Sequence, residues 1–135
     1  MGESKNHMEL VQVAFRDIMR NVPEREFACV FVDTPEEGTT PAVLGGFHPD
    51  IYFKTANRLI IGEAKTEKDF SRPHSVAQLK AYYLECERFP GSAELVLAVP
   101  WTMARRAQNF FRQLRRSADT VSIRVLDERG VAFAV

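Results

Sequence analysis

Two short, largely apolar runs separated by four residues lie near the middle of the chain, and they constrain the fold more than any other feature. The runs are 51–54 (Ile-Tyr-Phe-Lys) and 59–62 (Leu-Ile-Ile-Gly), and Thr-Ala-Asn-Arg lies between them. β-Branched and aromatic residues on both sides of a short polar segment are typical of a β-hairpin. A two-residue turn at 56–57 and a four-residue loop at 55–58 imply the same strand register, because paired residue numbers add to the same sum.

This register places Asp50 directly opposite Glu63, with their side chains on one face and about 5 Å apart. Lys65 lies two residues after Glu63, so it belongs to the same face. Facing carboxylates repel each other unless a positive charge lies between them. Mg²⁺ is suited to this position, because it binds one or two carboxylates together with water and phosphate oxygens. A three-residue loop would shift the register by one residue and remove the alignment.

The alternative interpretation of these residues is a solvated sheet face with a surface ion pair. We favour a functional site, because the hairpin is largely apolar and charges at its open end are costly to place there. A metal held by Asp50 and Glu63 would polarise a phosphoryl oxygen and lower the pKa of a bound water. Lys65 would orient or deprotonate that water, or neutralise charge on the phosphate. The backbone carbonyl of Ala64 is a further candidate ligand.

Hydrophobic periodicity assigns the remaining elements and predicts an α/β fold. Apolar residues at helical spacing predict a first helix over 8–19, with Asn6 as its N-cap and Glu9 as the capping-box partner. Segment 66–70 reads as a polar connection. This element order predicts a single domain, residues 1–135, with a central mixed sheet flanked by helices. The other expected elements are helices over 71–88 and 101–116, and strands over 27–32, 94–99, 121–126 and 131–135, the last two forming a hairpin.

Length and composition indicate an ordinary globular protein. The chain has 135 residues, of which 45% are hydrophobic and 27% charged. No apolar run approaches the roughly 20 residues of a membrane helix, and the polar N-terminus is unlike a signal peptide, so a cytoplasmic location is expected. Cys29 and Cys86 are expected to be reduced, buried thiols. Eighteen basic and eighteen acidic residues cancel, which is unusual for a dedicated high-affinity nucleic-acid binder.

Three short motifs together resemble the PD-(D/E)XK nuclease superfamily. They are Pro49-Asp50, Glu63-Ala64-Lys65 a dozen residues later, and Gln78-Leu79-Lys80-Ala81-Tyr82 in the second long helix. The third motif is similar to the Gln-x-x-x-Tyr element of the branch with RecB-like, lambda-type and small resolvase-like nucleases. The predicted element order resembles the αβββαβ restriction-endonuclease-like core of that superfamily, over roughly residues 8–100.

The resemblance implies a role for each motif residue. Asp50 and Glu63 would be metal ligands, and Lys65 would activate the attacking water. Gln78 and Tyr82 lie one helical turn apart and would support the site and contact substrate phosphates. The alternative for this pair is packing of the helix on the sheet, and Tyr83 is an equal candidate for either role.

Two further residues are weaker candidates. The superfamily often adds an acid from the first helix, and Glu9 is the best match, although a capping box also explains it. His48 would face Lys65 in the assumed register and line the same pocket, although a single histidine is more often incidental.

A basic third helix is a second signal for nucleic-acid binding. Residues 101–116 contain no acid, and Trp101, Phe110 and Phe111 lie among the arginines. Guanidinium groups suit phosphate oxygens, so this stripe predicts a contact with a DNA backbone. The alternative is a solvated outer face with its aromatic residues packed inward. The arginines are Arg105, Arg106, Arg112, Arg115 and Arg116.

These observations predict a Mg²⁺- or Mn²⁺-dependent DNA nuclease, structure-selective or nonspecific. By resemblance, its products would carry a 5′-phosphate and it would act as a homodimer. The rival prediction is a noncatalytic DNA- or protein-binding subunit of a larger DNA-processing, mobile-element or defence complex. A metal-binding domain that acts on a non-nucleic phosphate ester is a third alternative.

Overall fold

A six-stranded mixed β-sheet organises the protein, and its strands lie side by side in sequence order. The computed structural model describes residues 2–33 and 44–135. The strands are β1 Val30–Val32, β2 Ile51–Lys54, β3 Arg58–Ala64, β4 Ser92–Ala98, β5 Ser122–Leu126 and β6 Ala132–Ala134.

The sheet is mixed, with antiparallel pairs at both edges and three parallel strands in the middle. β2 and β3 are antiparallel because their connection is a tight turn, in which the N–H of Thr55 donates to the carbonyl of Arg58 at 2.8 Å. β3, β4 and β5 are parallel, as strands joined by helical crossovers are. β1 is antiparallel to β2, and β6 to β5. The predicted central hairpin, C-terminal hairpin and mixed sheet are confirmed.

Helices cover both faces of the sheet. The helix α1 packs on one face, and α3 and α4 pack on the other, as expected when successive parallel crossovers have the same hand. No helix in the described part of the chain combines the length and the apolar character needed to span a lipid bilayer. The α-helices are α1 Gly2–Asn21, α2 Glu67–Phe70, α3 Pro73–Arg88 and α4 Ala104–Leu114, and two 3₁₀ segments cover Glu24–Cys29 and Trp101–Met103.

The two faces of the sheet carry separate hydrophobic cores. Because β3 and β4 are buried on both faces, they are nearly continuous apolar runs rather than alternating ones. α1 lies very close to β3 at Gly62, where a Cβ atom would stand 2.8 Å from Cδ1 of Ile18. The absence of a side chain at Gly62 therefore allows α1 to reach the sheet.

The beginning of α1 differs from the prediction. The helix starts at Gly2, so Asn6 lies inside it and the capping box with Glu9 is wrong. Of the apolar residues whose spacing predicts this helix, Val11 and Ile18 are buried, whereas Met8 is 56% exposed. Leu10 and Ala14 complete the buried stripe.

Two other segments also differ from the prediction. The expected strand over 27–32 begins only at Val30, because Val30 pairs with Phe53 and the partner strand turns away one residue later. Residues 24–29 form a 3₁₀ helix, which leaves Phe27 exposed. Segment 66–70, expected as a connection, contains the short helix α2.

Candidate active site at the end of strand β3

The open end of the β2–β3 hairpin brings Asp50 and Glu63 together. The observed register pairs Ile51 with Gly62, and its continuation sets Asp50 opposite Glu63, as predicted. The backbone N–H of Asp50 donates to Oε1 of Glu63 at 3.0 Å. The N–H of Ala64 donates to Oδ2 of Asp50 at 2.9 Å. Each carboxylate is thus held by the backbone of the opposite segment.

Lys65 completes the group of charges at this end of the sheet. It directly follows β3, and its backbone N–H donates to the carbonyl of Ala98 at 3.0 Å, which fixes it beside β4. Its Nζ lies 3.4 Å from Oε2 of Glu63 and also donates a hydrogen bond to Oε1 of Gln78. Both charged side chains are buried, with relative exposures of 3% for Glu63 and 8% for Lys65.

The helix α3 contributes the next members of the network. Gln78 and Tyr82 lie one turn apart on its sheet-facing side, and Nε2 of Gln78 donates to the hydroxyl oxygen of Tyr82 at 3.0 Å. Burial and the nearby charge of Glu63 raise the pKa of Tyr82, so its hydroxyl stays protonated. The chain of contacts therefore runs from Glu63 through Lys65 and Gln78 to Tyr82.

Tyr83 belongs to a different part of the molecule. Its hydroxyl donates to the carboxylate of Asp119 and accepts the N–H of Arg116 at 2.9 Å. These bonds fasten the segment after α4 to α3. Of the two neighbouring tyrosines, Tyr82 is the one that contacts the candidate site.

His7 is a site residue that the sequence analysis missed. Its Nε2 lies 3.2 Å from Oδ2 of Asp50, and the hydrogen bond to Asp50 raises the histidine pKa against the opposing effect of burial. The sequence does contain a local signal for His7. His7 extends the buried stripe Val11, Ala14 and Ile18 of α1 by one turn, so the same helix face that packs on the sheet carries the imidazole to Asp50.

The negative charge of Glu63 is not fully compensated by its neighbours, so its pKa is raised. Burial is the main reason why its pKa lies well above the ordinary value, and the neighbouring charge of Asp50 raises it further. Lys65 and the N–H of Asp50 act in the opposite direction without cancelling these effects. A further cation beside Glu63 would favour its charged form.

The donor chemistry fits a hard divalent cation bound by few protein ligands. Asp50 and Glu63 supply carboxylate oxygens, the type that Mg²⁺ prefers, and Mg²⁺ usually keeps several of its waters. Among the side chains that the structure describes, those of residues 6–33 and 44–135, no set of three or more His, Cys, Asp or Glu has the arrangement of a metal site. The residues therefore fit a two-carboxylate site rather than a complete protein cage. A role for the Ala64 carbonyl as a third oxygen stays a prediction.

Two weaker candidates lie outside the network. Glu9 is exposed and lines a neighbouring cleft, and it makes no hydrogen bond or ion pair with the network in the described structure, so its role as a ligand stays a prediction. His48 is exposed, and the strand pairing stops at Ile51, so the expected partnership with Lys65 is not formed.

The cleft beside the network opens at the carboxyl ends of the parallel strands, where ligands commonly bind in α/β proteins. Its volume is about 580 Å³. Thr66, the residue after Lys65, forms part of its wall. The cleft therefore adjoins the candidate site. Its lining residues are Asn6, Glu9, Leu10, Thr66, Glu67, Lys68, Pro100 and Glu128.

The predicted arginine stripe separates into two groups. Arg105, Arg106 and Arg112 lie on the exposed face of α4. Arg115 and Arg116 follow the end of α4. Arg115 donates to the carbonyls of Val121 and Val135 and pairs with Asp119, and Arg116 lies 3.5 Å from Glu87.

The phenylalanines of α4 pack inward, as the alternative interpretation proposed. Phe111 is buried, and Phe110 meets Phe70 and Phe111 edge to face at centroid distances of 6.0 and 5.3 Å. Trp101 does not follow them, because it is 64% exposed.

Comparisons with protein-family models, with curated proteins and with solved structures found no match. The function of this protein is therefore inferred from the geometry of the site itself.

Proposed function

We propose that this protein is a Mg²⁺- or Mn²⁺-dependent nuclease that hydrolyses phosphodiester bonds in DNA. The observation that carries the proposal is the continuous contact network from His7 and Asp50 through Glu63 and Lys65 to Gln78. Five residues from four segments of the chain converge there. Glu63, Lys65 and Gln78 are buried, and His7 and Asp50 are partly buried, in a position where charge is costly without a purpose.

The topology supports the same conclusion. The order α1, β1, β2, β3, α3, β4, with α2 inserted before α3, resembles the αβββαβ core of the PD-(D/E)XK nucleases. A DNA backbone would follow the exposed face of α4, where Arg105, Arg106 and Arg112 are available for phosphate oxygens.

In this proposal Asp50 and Glu63 hold the metal, which when bound supplies Lewis acidity and lowers the pKa of the attacking water. Asp50 is oriented by the N–H of Ala64 and by His7. Lys65 places its ammonium group next to Glu63, where it holds the water or stabilises charge that develops on the phosphate.

The α3 residues act by positioning. Gln78 accepts from Lys65 and donates to Tyr82, so it fixes the direction of the lysine side chain. Tyr82, fully buried, holds the amide of Gln78 in the orientation that presents its oxygen to Lys65.

The test is a cleavage assay on plasmid, linear duplex, single-stranded and branched DNA with Mg²⁺, Mn²⁺ or EDTA. We expect cleavage with metal, loss of cleavage in EDTA, and loss in Asp50→Asn and Lys65→Ala. Lys80→Ala is the matched control, because Lys80 is exposed on α3. Absence of cleavage of every substrate with both metals, or wild-type rates in both site variants, would overturn the nuclease assignment.

A noncatalytic DNA-binding subunit is the second candidate, and one observation favours it. The chain has zero net charge, and of its five predicted DNA-binding arginines two are engaged within the protein. A partner that supplies additional positive charge would then provide the affinity for DNA. Binding of DNA by the pure protein without cleavage would select this candidate.

A further inference from the structure

Trp101 is the most exposed large hydrophobic residue in the described part of the chain, with 64% of its surface accessible. It is also the only tryptophan in the sequence. Its backbone is held in place, because its N–H donates to Oε2 of Glu128 at 2.8 Å and Met103 in the same 3₁₀ segment is buried. The indole is therefore a large aromatic surface presented to solvent from an anchored backbone.

Exposed arginine side chains follow Trp101 along the chain, in α4. Trp101 lies in the 3₁₀ segment that leads directly into α4, and Arg105 and Arg112, seven residues apart, share one exposed face of that helix. Arg105 is exposed, and its side chain makes no hydrogen bond or ion pair with the side chains described for residues 6–33 and 44–135. In the same part of the chain, the one hydrogen bond of the Arg112 side chain is to Asn109 of its own helix, at 3.5 Å. This surface thus combines an exposed aromatic ring with guanidinium groups that lack an acidic partner in the described structure.

Trp101 lies close to the candidate active site. Lys65 is bonded to Ala98, and Trp101 follows Ala98 by three residues, which places its Cα at most about 11 Å farther along. Pro100, between them, lines the cleft that Thr66 also lines. A single strand with a phosphate at the site would reach the indole within a few nucleotides.

We propose that Trp101 stacks on an unpaired base of single-stranded DNA, while the phosphates of that strand follow Arg105 and Arg112. The inference rests on the proposed nuclease function and specifies its substrate as single strands or frayed and flapped ends. Bases within a duplex are already stacked on their neighbours, whereas unpaired bases have free faces, and stacking on aromatic side chains is tolerant of sequence.

The charges around the indole support this path. The cleft on one side of Trp101 carries Glu9, Glu67 and Glu128, with Lys68 as the only basic residue in its lining. Phosphates are repelled by that lining and attracted by the exposed face of α4. The backbone of a bound strand therefore has a preferred side, and its bases turn toward the indole.

The fluorescence of the single tryptophan provides a direct test. We would titrate the protein in EDTA, which prevents cleavage, with a 12-nucleotide oligodeoxythymidine and with a duplex of the same length. Binding would be followed in parallel by the anisotropy of fluorescently labelled DNA. Stacking predicts quenching of Trp101 by the single strand and little change with the duplex.

Substitutions provide the second arm. Trp101→Ala is expected to weaken single-strand binding about tenfold, and Trp101→Phe to retain most of it, while duplex affinity changes less than twofold. Met8→Ala is the control, because Met8 is also exposed and apolar. Circular dichroism would verify that each variant folds.

The outcomes distinguish the two proposals. Single-strand binding without a change in tryptophan fluorescence, or wild-type binding by Trp101→Ala, overturns the stacking role and leaves the nuclease proposal intact. Quenching without cleavage in Mg²⁺ or Mn²⁺ overturns the nuclease proposal and supports stacking. Failure to bind any single-stranded DNA overturns the stacking role outright.

Discussion

The two ends of the parallel strands both bury charge, but they neutralise it differently. At the amino ends, Arg124 donates to Asp17 at 2.7 Å and to Glu94 at 2.9 Å, and Arg58 also reaches Glu94, at 2.7 Å. We call Asp17, Arg58, Glu94 and Arg124 the amino-end cluster. In it, two acids meet two arginines.

At the carboxyl ends, Asp50 and Glu63 face one lysine and one histidine. Lys65 stands 3.4 Å from Glu63, and it shares its ammonium group with Gln78. The pKa of Glu63 is raised by burial and by Asp50, whereas in the amino-end cluster hydrogen bonds to Asp17 and Glu94 raise the pKa of Arg124 in spite of its burial. The balanced charges of the amino-end cluster hold α1 to the sheet through Asp17. The unbalanced charges at the carboxyl ends leave room for a ligand.

The largest effect is expected from removal of Lys65, which tests whether the charges at the carboxyl ends serve activity rather than stability. Lys65→Ala is expected to lower kcat by about 10²- to 10⁴-fold, the usual contribution of a positioned proton-transfer group. Its thermal midpoint should fall only modestly, because Glu63, whose pKa is already raised by burial, takes up a proton when its cationic partner is removed. Single-turnover cleavage assays and calorimetry would measure the two quantities. A fold that collapses while residual activity per folded molecule stays normal would place Lys65 with the structural charges.

The reciprocal change is Arg124→Met in the amino-end cluster. It leaves Asp17 and Glu94 buried with fewer partners, and we expect a loss of about 3–5 kcal/mol in the free energy of unfolding. Urea denaturation followed by circular dichroism would measure it. Arg105→Met, at an exposed arginine, should change stability by less than about 0.5 kcal/mol. A loss below 1 kcal/mol for Arg124→Met would mean that this cluster does not hold the fold together.

Metal binding should stabilise only the carboxyl-end site. Mg²⁺ at 100 times its dissociation constant would raise the free energy of unfolding by about 2.7 kcal/mol if it binds the folded chain alone. Asp50→Asn should remove that gain, and Arg105→Met should keep it. Thermal unfolding with Mg²⁺ or EDTA is the measurement, and an equal gain in Asp50→Asn would place the bound ion elsewhere.

The smallest effect is expected at Asp127, a carboxylate whose hydrogen bonds come from residues close to it in sequence. Asp127 is fully buried, and burial alone would raise its pKa, but hydrogen bonds from Arg129 and from the N–H of Val131 lower it below 3.8. Its contribution is therefore present above pH 3.8 and is lost as the pH falls through the lower folded-state pKa.

Asp127→Asn should cost about 1 kcal/mol at pH 7, and the difference from wild type should vanish in acid. Chemical denaturation at pH 7 and near pH 3 would measure it. Glu24→Gln, at an exposed acid, is the control. A cost that persists unchanged at low pH would show that shape, rather than charge, matters at residue 127.

The parts of the site that could be predicted are those determined by spacing along the chain, within a hairpin or a helix. Both turn lengths considered for the hairpin imply one register, so the facing positions of Asp50 and Glu63 followed from the sequence and agree with the structure. Gln78 and Tyr82 were expected on one face of a helix because four residues separate them, and they do contact each other.

The parts that could not be predicted depend on tertiary packing. The choice between Tyr82 and Tyr83 required knowing that Asp119 lies beside the latter. The amino-end cluster brings together residues up to 107 positions apart, for which no spacing in the sequence is diagnostic. His7 was hidden because the first helix was expected to begin at residue 8, which excluded the turn that carries it.

Gly62 connects the interior of the protein to this chemistry. α1 is a single helix, so its close seating over Gly62 at Ile18 also determines where His7 stands, about 16 Å away along the helix axis. A methyl group at position 62 would stand 2.8 Å from Cδ1 of Ile18 and 3.1 Å from Cβ of Ile51, so these side chains would have to move where α1 meets β3. The helix that carries His7 is thus seated over a residue that has no side chain and touches no substrate.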